Sequence, residues 1–474
     1  MNPISNPSID DDFRTQLQDY GLRYDPITGL PNQTFFRGAI RKLLAQAQAE
    51  GQQIALLWID LTNLRREFSV GGEEASRGLV STLADSLRPW AEEGELVCRF
   101  SDTSFLLALR RDECLNARLE LILEAASHRH LRGSEGKPEI SAGVAFFPEH
   151  STNPDELIRF ASLAAVSAAR SRSRAAVPFT PKMNTALLMA RSLEKDLRIA
   201  LHEQQLSLVY QPQIDLTTGN ILGVEALTRW YHPERGHVPP AQFIAVAEQS
   251  DLIDEIFAHS LQRMLMDAAD WRAAGVIMPS IAVNASAANV RHDDFVHIVE
   301  RELAAHPLLT TQLEVEVTES LLMDDEDLFL ERLHALRLIG VKVSMDDFGT
   351  RYTGFNALKG LPLNSMKIDR CFVHGVNRSS QAQSLCRTIV TMARHLKLST
   401  IAEGIEDVGE LRAMKNIGCQ AGQGYLFQRP VPSDQFLRFL REWPERKRQG
   451  QFAQAFLDVE VDPCYEVDPL FGLV

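Results

Sequence analysis

The sequence is sparing with cysteine, and its few cysteines are unpaired in spacing. Cys98, Cys114, Cys371, Cys386, Cys419 and Cys464 form no CxxC motif and no zinc-ligand pattern. This excludes a disulfide-stapled scaffold and a thiolate metal centre, and it reads as reduced thiols in a cytoplasmic protein. Long apolar runs are also missing. No stretch approaches the ~18 apolar residues of a membrane span. The opening MNPISNPSIDDDFRTQLQDYG is polar and acidic, unlike a signal peptide or anchor. Positive charge is outweighed, with 49 Lys and Arg against 63 Asp and Glu and a net charge of −14. A protein that grips long nucleic acid through a basic face is thereby excluded. A small nucleotide is not, because a bound divalent cation can reverse the local sign.

What is present is ordinary globular composition, 45% hydrophobic and 24% charged over 474 residues. After a short polar lead, 1–24, strand-like runs at 54–60, 96–100, 105–109 and 139–147 alternate with helical patterns at 33–49, 73–90, 112–128 and 154–170. This predicts an α/β or α+β domain. The basic, proline-containing run 170–184 reads as a linker, placed most narrowly at 179–185, followed by an amphipathic helix over 186–204. Beyond it, apolar strands recur at 206–212, 221–229, 280–284, 313–319, 341–347, 365–369, 399–404 and 419–427, most of them separated by helical stretches. That rhythm predicts a TIM-type (β/α)8 barrel over 186–445. The last segment, 446–474, has no assignable role.

The informative feature is what ends those strands. Glu225, Asn284, Glu316 with Glu319, Asp346 with Asp347, Lys367, and Glu403 with Glu406 follow in chain order. In a TIM barrel the C-terminal strand ends form one rim, where active sites lie. A single acid at a strand end is most often a solvated loop residue or a helix cap. As a set these are harder to dismiss, because most of them interrupt strongly apolar strands, where an acid is costly. Carboxylate and amide oxygens suit Mg²⁺ or Mn²⁺. Two such ions ~3.5–4 Å apart can activate water and stabilise an in-line phosphoryl displacement. The residues alone therefore point to a metal-dependent phosphoester hydrolase.

The strings Glu225-Ala226-Leu227-x-Arg229-Trp230, Asn284-Ala285-Ser286, Glu316-Val317-Thr318-Glu319, Asp346-Asp347-Phe348-Gly349, Lys367-Ile368-Asp369, Glu403-Gly404-Ile405-Glu406 and Gly422-Gln423-Gly424-Tyr425 resemble the ordered motifs of the EAL domain. The resemblance implies hydrolysis of cyclic di-GMP to linear pGpG with two Mg²⁺ or Mn²⁺ ions. It implies Glu225, Asn284, Glu316 and Asp346 as metal ligands, and Asp347 as a ligand to the second metal. Lys367 would contact the attacking water, and Glu403 would be a ligand or general base. Glu319 would hold the loop after the aspartate pair. Gln211, Arg229, Asp369, Glu406 and Gln423 would contact the ligand or order the site. It also implies a possible homodimer through this domain. One departure stands out. After Thr350 the family continues Gly-Tyr-Ser-Ser, whereas this chain has Arg351-Tyr352-Thr353-Gly354. A cation near the metals, in place of a glycine, predicts lowered or gated turnover.

The first domain, 25–178, resembles a GGDEF domain through Asp25-Pro26-x-Thr28-Gly29-Leu30-Pro31-Asn32 and the segment 54–80. That implies a ferredoxin/cyclase-like α+β fold. Its signature string is replaced by Ser101-Asp102-Thr103-Ser104-Phe105, and Phe68 and Arg77 occupy the guanine-reading positions. Asp60 is the one metal acid left, and the product-inhibition motif is absent at Glu92–Glu95. The domain is expected to be degenerate and to serve a regulatory or structural role, and an unknown protein partner is expected for the chain. Two alternatives to an active phosphodiesterase stay open: a cyclic di-GMP receptor that does not hydrolyse, and a protein-binding scaffold.

Overall fold

The structure, a computed structural model, describes residues 23–128, 137–171, 173–319, 326–349 and 360–457. It divides into two compact units, Met1–Ala190 and Arg191–Val474.

The first unit is built on β1 (Ile54–Leu61), β2 (Leu96–Arg99), β3 (Ser104–Arg110), β4 (Ile140–Phe147) and β5 (Val177–Pro178), in the order β2-β3-β1-β4-β5. Only the β4–β5 pair is parallel. The unbroken apolar run of β1 has a simple cause, since both faces of the strand are covered. Ala55, Leu57, Ile59 and Leu61 pack with Leu79 and Leu83 of the helix Leu64–Leu87 and with Ile122 of the helix Leu115–His128. Ile54, Leu56 and Trp58 face the other way, onto Phe36, Ile40 and Leu44 of Gln33–Glu50 and Leu157, Ala161 and Ala164 of Pro154–Ser171. Each such aliphatic side chain contributes about 1.5–3 kcal/mol on burial. At Gly143 the Pro154–Ser171 helix comes close enough that a Cβ there would lie 2.1 Å from the Ala165 amide nitrogen.

Two local expectations are modified. The helix expected from residue 73 begins nine residues earlier, at Leu64, and a break at Gly72 (φ 68°) divides it into two helical segments. The expected linker is ordered on both sides of Phe179. β5 pairs with β4 at 177–178, and a helix runs from Pro181 to His202. The cause is Phe179, an apolar residue that stacks on Phe160 with ring centroids 4.0 Å apart.

In the second unit, β6 (Leu206–Asp215), β7 (Ile221–His232), β8 (Gly236–Val238), β9 (Ile281–Ala285), β10 (Leu313–Thr318), β11 (Lys342–Phe348), β12 (Ser365–Ile368), β13 (Ser399–Ala402), β14 (Ala421–Gly422) and β15 (Val431–Pro432) follow in chain order. The order β6-β14-β13-β12-β11-β10-β9-β7 closes on itself through a β6–β7 pairing, forming the barrel, with β8 and β15 as short additions. One strand departs from an all-parallel barrel: β6 runs antiparallel to both β7 and β14. The connection Leu216–Asn220 is too short for a parallel crossover, which needs a dozen or more residues, and makes a hairpin instead. Past Arg446, the helix Gly450–Leu457 packs on the barrel exterior through Phe452, which contacts Phe427 and Trp443. Residues 458–474 lie outside the described residues. Among the described residues no helix is long and apolar enough to cross a membrane.

Candidate active site

Strand register gathers the rim. Asn284 lies beside Glu316 across β9–β10, Thr318 beside Asp346 across β10–β11, and Gln211 opposite Glu225 in the β6–β7 hairpin. Lys367 on β12 stands at the centre and is fully buried. Its Nζ lies 2.7 Å from Glu316 and from Glu403, and 3.3 Å from Glu225 and from Asp346. Asn284 donates to Glu225 at 2.7 Å, and Gln423 donates to Glu225 at 2.6 Å and to Gln211 at 3.0 Å. Gln211 in turn donates to the Gln428 carbonyl at 3.0 Å.

A buried ammonium is tolerable only when paired, and here four carboxylates surround it. Burial by itself would lower the Lys367 pKa, but Asp346, Glu225, Glu316 and Glu403 override it and hold the ammonium well above its ordinary range. The acids cannot all be satisfied by one cation. Burial, then the neighbouring Glu225, pushes Glu316 well above the usual carboxylate range. Burial raises Glu403 to about 8 despite Lys367. Asp347 rises to about 6 through burial and the adjacent Asp346. Glu225 alone is held low, because Lys367, Asn284 and Gln423 outweigh its burial. The cluster carries more acid than its own cation can balance.

The donor set fits a hard divalent cation. Oxygens of Asp346, Asp347 and Glu403 lie within 4.8 Å of one another, with no histidine or cysteine among them. Gln423 adds a buried Oε1 with no partner among the described residues. These oxygens match the ligand preference of Mg²⁺ or Mn²⁺.

The other expected residues stand around this core. Buried Glu319 accepts from the Gly349 amide at 3.1 Å, just after the aspartate pair. Asp369 caps the short helix Arg370–Val373, accepting from the Cys371 amide at 2.9 Å. Arg229 is half-buried and donates to the Thr228 carbonyl at 2.9 Å. Glu406 pairs with Arg370 at 2.8 Å. A 240 Å³ cavity opens here, lined by Gln211, Glu225, Leu227, Arg370, Glu403, Gly404, Glu406, Gln423, Gly424 and Tyr425. Arg370, Tyr425 and Gln213 were not anticipated. Arg370 directly follows Lys367-Ile368-Asp369, and Tyr425 ends the Gly422-Gln423-Gly424 string, so proximity to those motifs was the available signal. Gln213 shares a face with Gln211 by strand alternation and approaches Glu316 at 3.5 Å. Arg351 and its loop lie outside the described residues.

In the first unit, Asp60 faces Ser104 across β1–β3. Ser104 donates to Asp60 at 2.6 Å, and Ser101 donates to Ser104 at 2.8 Å. Arg99 is tied to Asp25 at 2.9 Å and to the Asp102 carbonyl at 3.0 Å. Phe68 is 55% exposed, and Arg77 pairs with Glu73 at 2.7 Å.

Residues 194–430 match the EAL domain family, and residues 22–175 match the diguanylate cyclase GGDEF domain family. Cyclic di-GMP phosphodiesterase NbdA of Pseudomonas aeruginosa is 31% identical over 89% of this chain and 54% of its own length. The bifunctional diguanylate cyclase/cyclic di-GMP phosphodiesterase MucR of the same organism is 31% identical over 87% of this chain and 61% of its own. The chain therefore spans less than two thirds of these relatives. The solved MucR phosphodiesterase in complex with c-di-GMP aligns at a TM-score of 0.50 and 39% identity, covering 52% of this chain and 99% of that one.

Proposed function

The chain belongs to the EAL domain family, with a GGDEF domain before the barrel in sequence, and on that footing we propose that it hydrolyses cyclic di-GMP to linear pGpG. The observation that carries this reading is Lys367 held 2.7 Å from both Glu316 and Glu403 within a ring of carboxylates. Asp346, Asp347 and Glu403, with Glu225, Asn284 and Glu316, would hold Mg²⁺ or Mn²⁺. When bound, such a cation lowers the pKa of water and neutralises phosphate charge. With a cation bound to hold it ionised, Glu403 would take the proton from the attacking water, and Lys367 would orient that water. The water oxygen would bond to phosphorus as the bond to the ribose 3′ oxygen breaks; that oxygen would take a proton from solvent and leave as a hydroxyl, and Glu403 would return its proton to solvent. Asn284 and Gln423 fix the Glu225 carboxylate by hydrogen bonds to both of its oxygens. Gln211 and Arg229 would meet the phosphate. Arg370 and Tyr425 would present a guanidinium and a ring face to the base.

The first unit is proposed to be silent as a cyclase and to act on the barrel only as a structural or regulatory domain. The test is product analysis. Purified chain is incubated with cyclic di-GMP and Mg²⁺ or Mn²⁺, and nucleotides are resolved beside Glu225→Ala. Accumulation of pGpG by the wild type alone supports the proposal. Binding without product would make the protein a receptor instead.

A further inference from the structure

Beneath the rim, the barrel lumen is polar. TIM-type interiors are ordinarily filled by layers of branched apolar side chains. Here Gln213, Ser280, Glu314, Ser344 and Ser365 are all buried. Glu314 accepts from Ser280 Oγ at 2.7 Å and from Ser365 Oγ. Each partner lies on, or directly next to, a strand that delivers a rim residue. Ser280 immediately precedes β9, which carries Asn284. Glu314 lies on β10 with Glu316, and Ser365 on β12 with Lys367.

Strand alternation puts Glu314 and Glu316 on one face of β10, and Ser365 and Lys367 on one face of β12, and both of these faces look into the lumen. The Glu314–Ser365 bridge therefore repeats, one layer down, the 2.7 Å Glu316–Lys367 contact of the rim. β10 and β12 are not neighbours, because β11 lies between them. Both bridges thus cross the lumen, and no backbone ladder joins these strands directly. The layer is tightly filled as well: a Cβ on Gly223 would meet Gln213 Oε1 at 2.7 Å and Ser280 Cβ at 3.2 Å. A carboxylate buried against two hydroxyls is a costly way to fill a barrel, where an aliphatic residue would serve stability better.

We propose that Glu314 is a positioning residue, whose lumen bridge sets the height at which Glu316 and Lys367 meet and so keeps the acid cluster competent for a divalent cation. The inference rests on reading the rim as the active site, but its test does not depend on turnover alone. Mn²⁺ binding to the full chain is titrated calorimetrically, and kcat and KM are measured for cyclic di-GMP, for wild type, Glu314→Gln, Ser365→Ala and the double variant. Outer-layer ligand supports of this kind are worth ~10–100-fold in metal affinity or activity. The expected result is a loss of that size in Mn²⁺ affinity and kcat, with KM and melting temperature nearly unmoved. The double variant should be no worse than the more impaired single, because both act on the same Glu314–Ser365 bridge. Unchanged Mn²⁺ affinity and kcat, or a lower melting temperature with both intact, would overturn the proposal. If Glu314→Gln does not fold, Ser365→Ala decides it. A wild type that binds Mn²⁺ but forms no product removes only the phosphodiesterase reading, and the titration still judges Glu314. A wild type that does neither overturns both.

Discussion

Asp346 and Asp347 are adjacent in β11, yet both bring a carboxylate oxygen within 4.8 Å of Glu403. Neighbours in a regular strand point to opposite faces. The exception arises because Asp347 adopts a left-handed backbone (φ 54°), and the β11–β12 register breaks between Met345 and Phe348. Aspartate and asparagine tolerate that conformation better than other side chains. Asp347→Asn should therefore keep the fold but remove a ligand charge. The Mg²⁺ concentration for half-maximal turnover should rise by roughly tenfold or more. A metal titration of initial rates checks this, and an unchanged requirement would remove Asp347 from the metal site.

Lys367 offers a sharper test of the charge balance. Removing one member of a buried ionic network costs about 3–5 kcal/mol, because the partners stay buried without it. Lys367→Met should melt well below wild type when divalent cations are chelated. Added Mn²⁺ should raise its melting temperature more than that of wild type, since the ion supplies the missing positive charge. Turnover should not return. Equal Mn²⁺ stabilisation of the two proteins would mean the cation does not sit among these acids.

Much of this site is legible in the sequence, for a physical reason. Glu316 within Leu313–Thr318 and Lys367 within Ser365–Ile368 interrupt otherwise buried strands, and such interruptions are too costly to be incidental. The barrel was likewise legible as repeated apolar strands. What was not legible depends on local backbone and on partners distant in sequence. The left-handed Asp347, the Arg370–Glu406 pair and the Glu314–Ser365 bridge each need three-dimensional register that no periodicity encodes. The antiparallel β6 was hidden for the opposite reason. Its strand pattern reads the same in either direction, and only the short Leu216–Asn220 turn discriminates.

The first unit carries its own pH-dependent support. Glu95 is buried and pairs with Arg118 at a short distance, while accepting from the amides of Arg110 at 2.7 Å and Glu92 at 3.0 Å. Burial would push its pKa up, but Arg118 and the two amides outweigh burial and hold it below its ordinary value of 4.5. A depressed carboxyl pKa stabilises the fold above the unfolded value, and that stabilisation is lost as pH falls through the folded one. Glu95→Gln should therefore be less stable than wild type at neutral pH. The gap to wild type should close in acid below the folded pKa. Paired denaturation curves from pH 7 downward measure it, and a gap independent of pH would show that packing, not charge, is responsible.

The last prediction concerns the cyclase-like unit, where a relative sharing this architecture, MucR, is named as bifunctional. In this chain the surviving acid is already engaged: Asp60 accepts from Ser104, which is itself held by Ser101. Both serines lie at the hairpin where the resemblance expects the glycine turn and a catalytic carboxylate. Side chains at Ser101 and Asp102 also fill a turn that glycine would leave open for close backbone approach. Phe68 presents an apolar ring where guanine would need polar partners, and Arg77 is committed to Glu73. Incubation with GTP and Mg²⁺ should therefore yield no cyclic di-GMP. To keep hydrolysis from hiding synthesis, the assay should use the Glu225→Ala chain. Ser104→Glu should stay silent too, because it restores one carboxylate without the open turn or the guanine contacts. Any cyclic di-GMP from the single variant would mean that the turn is not the barrier, and that one missing carboxylate is all that separates this unit from a working cyclase.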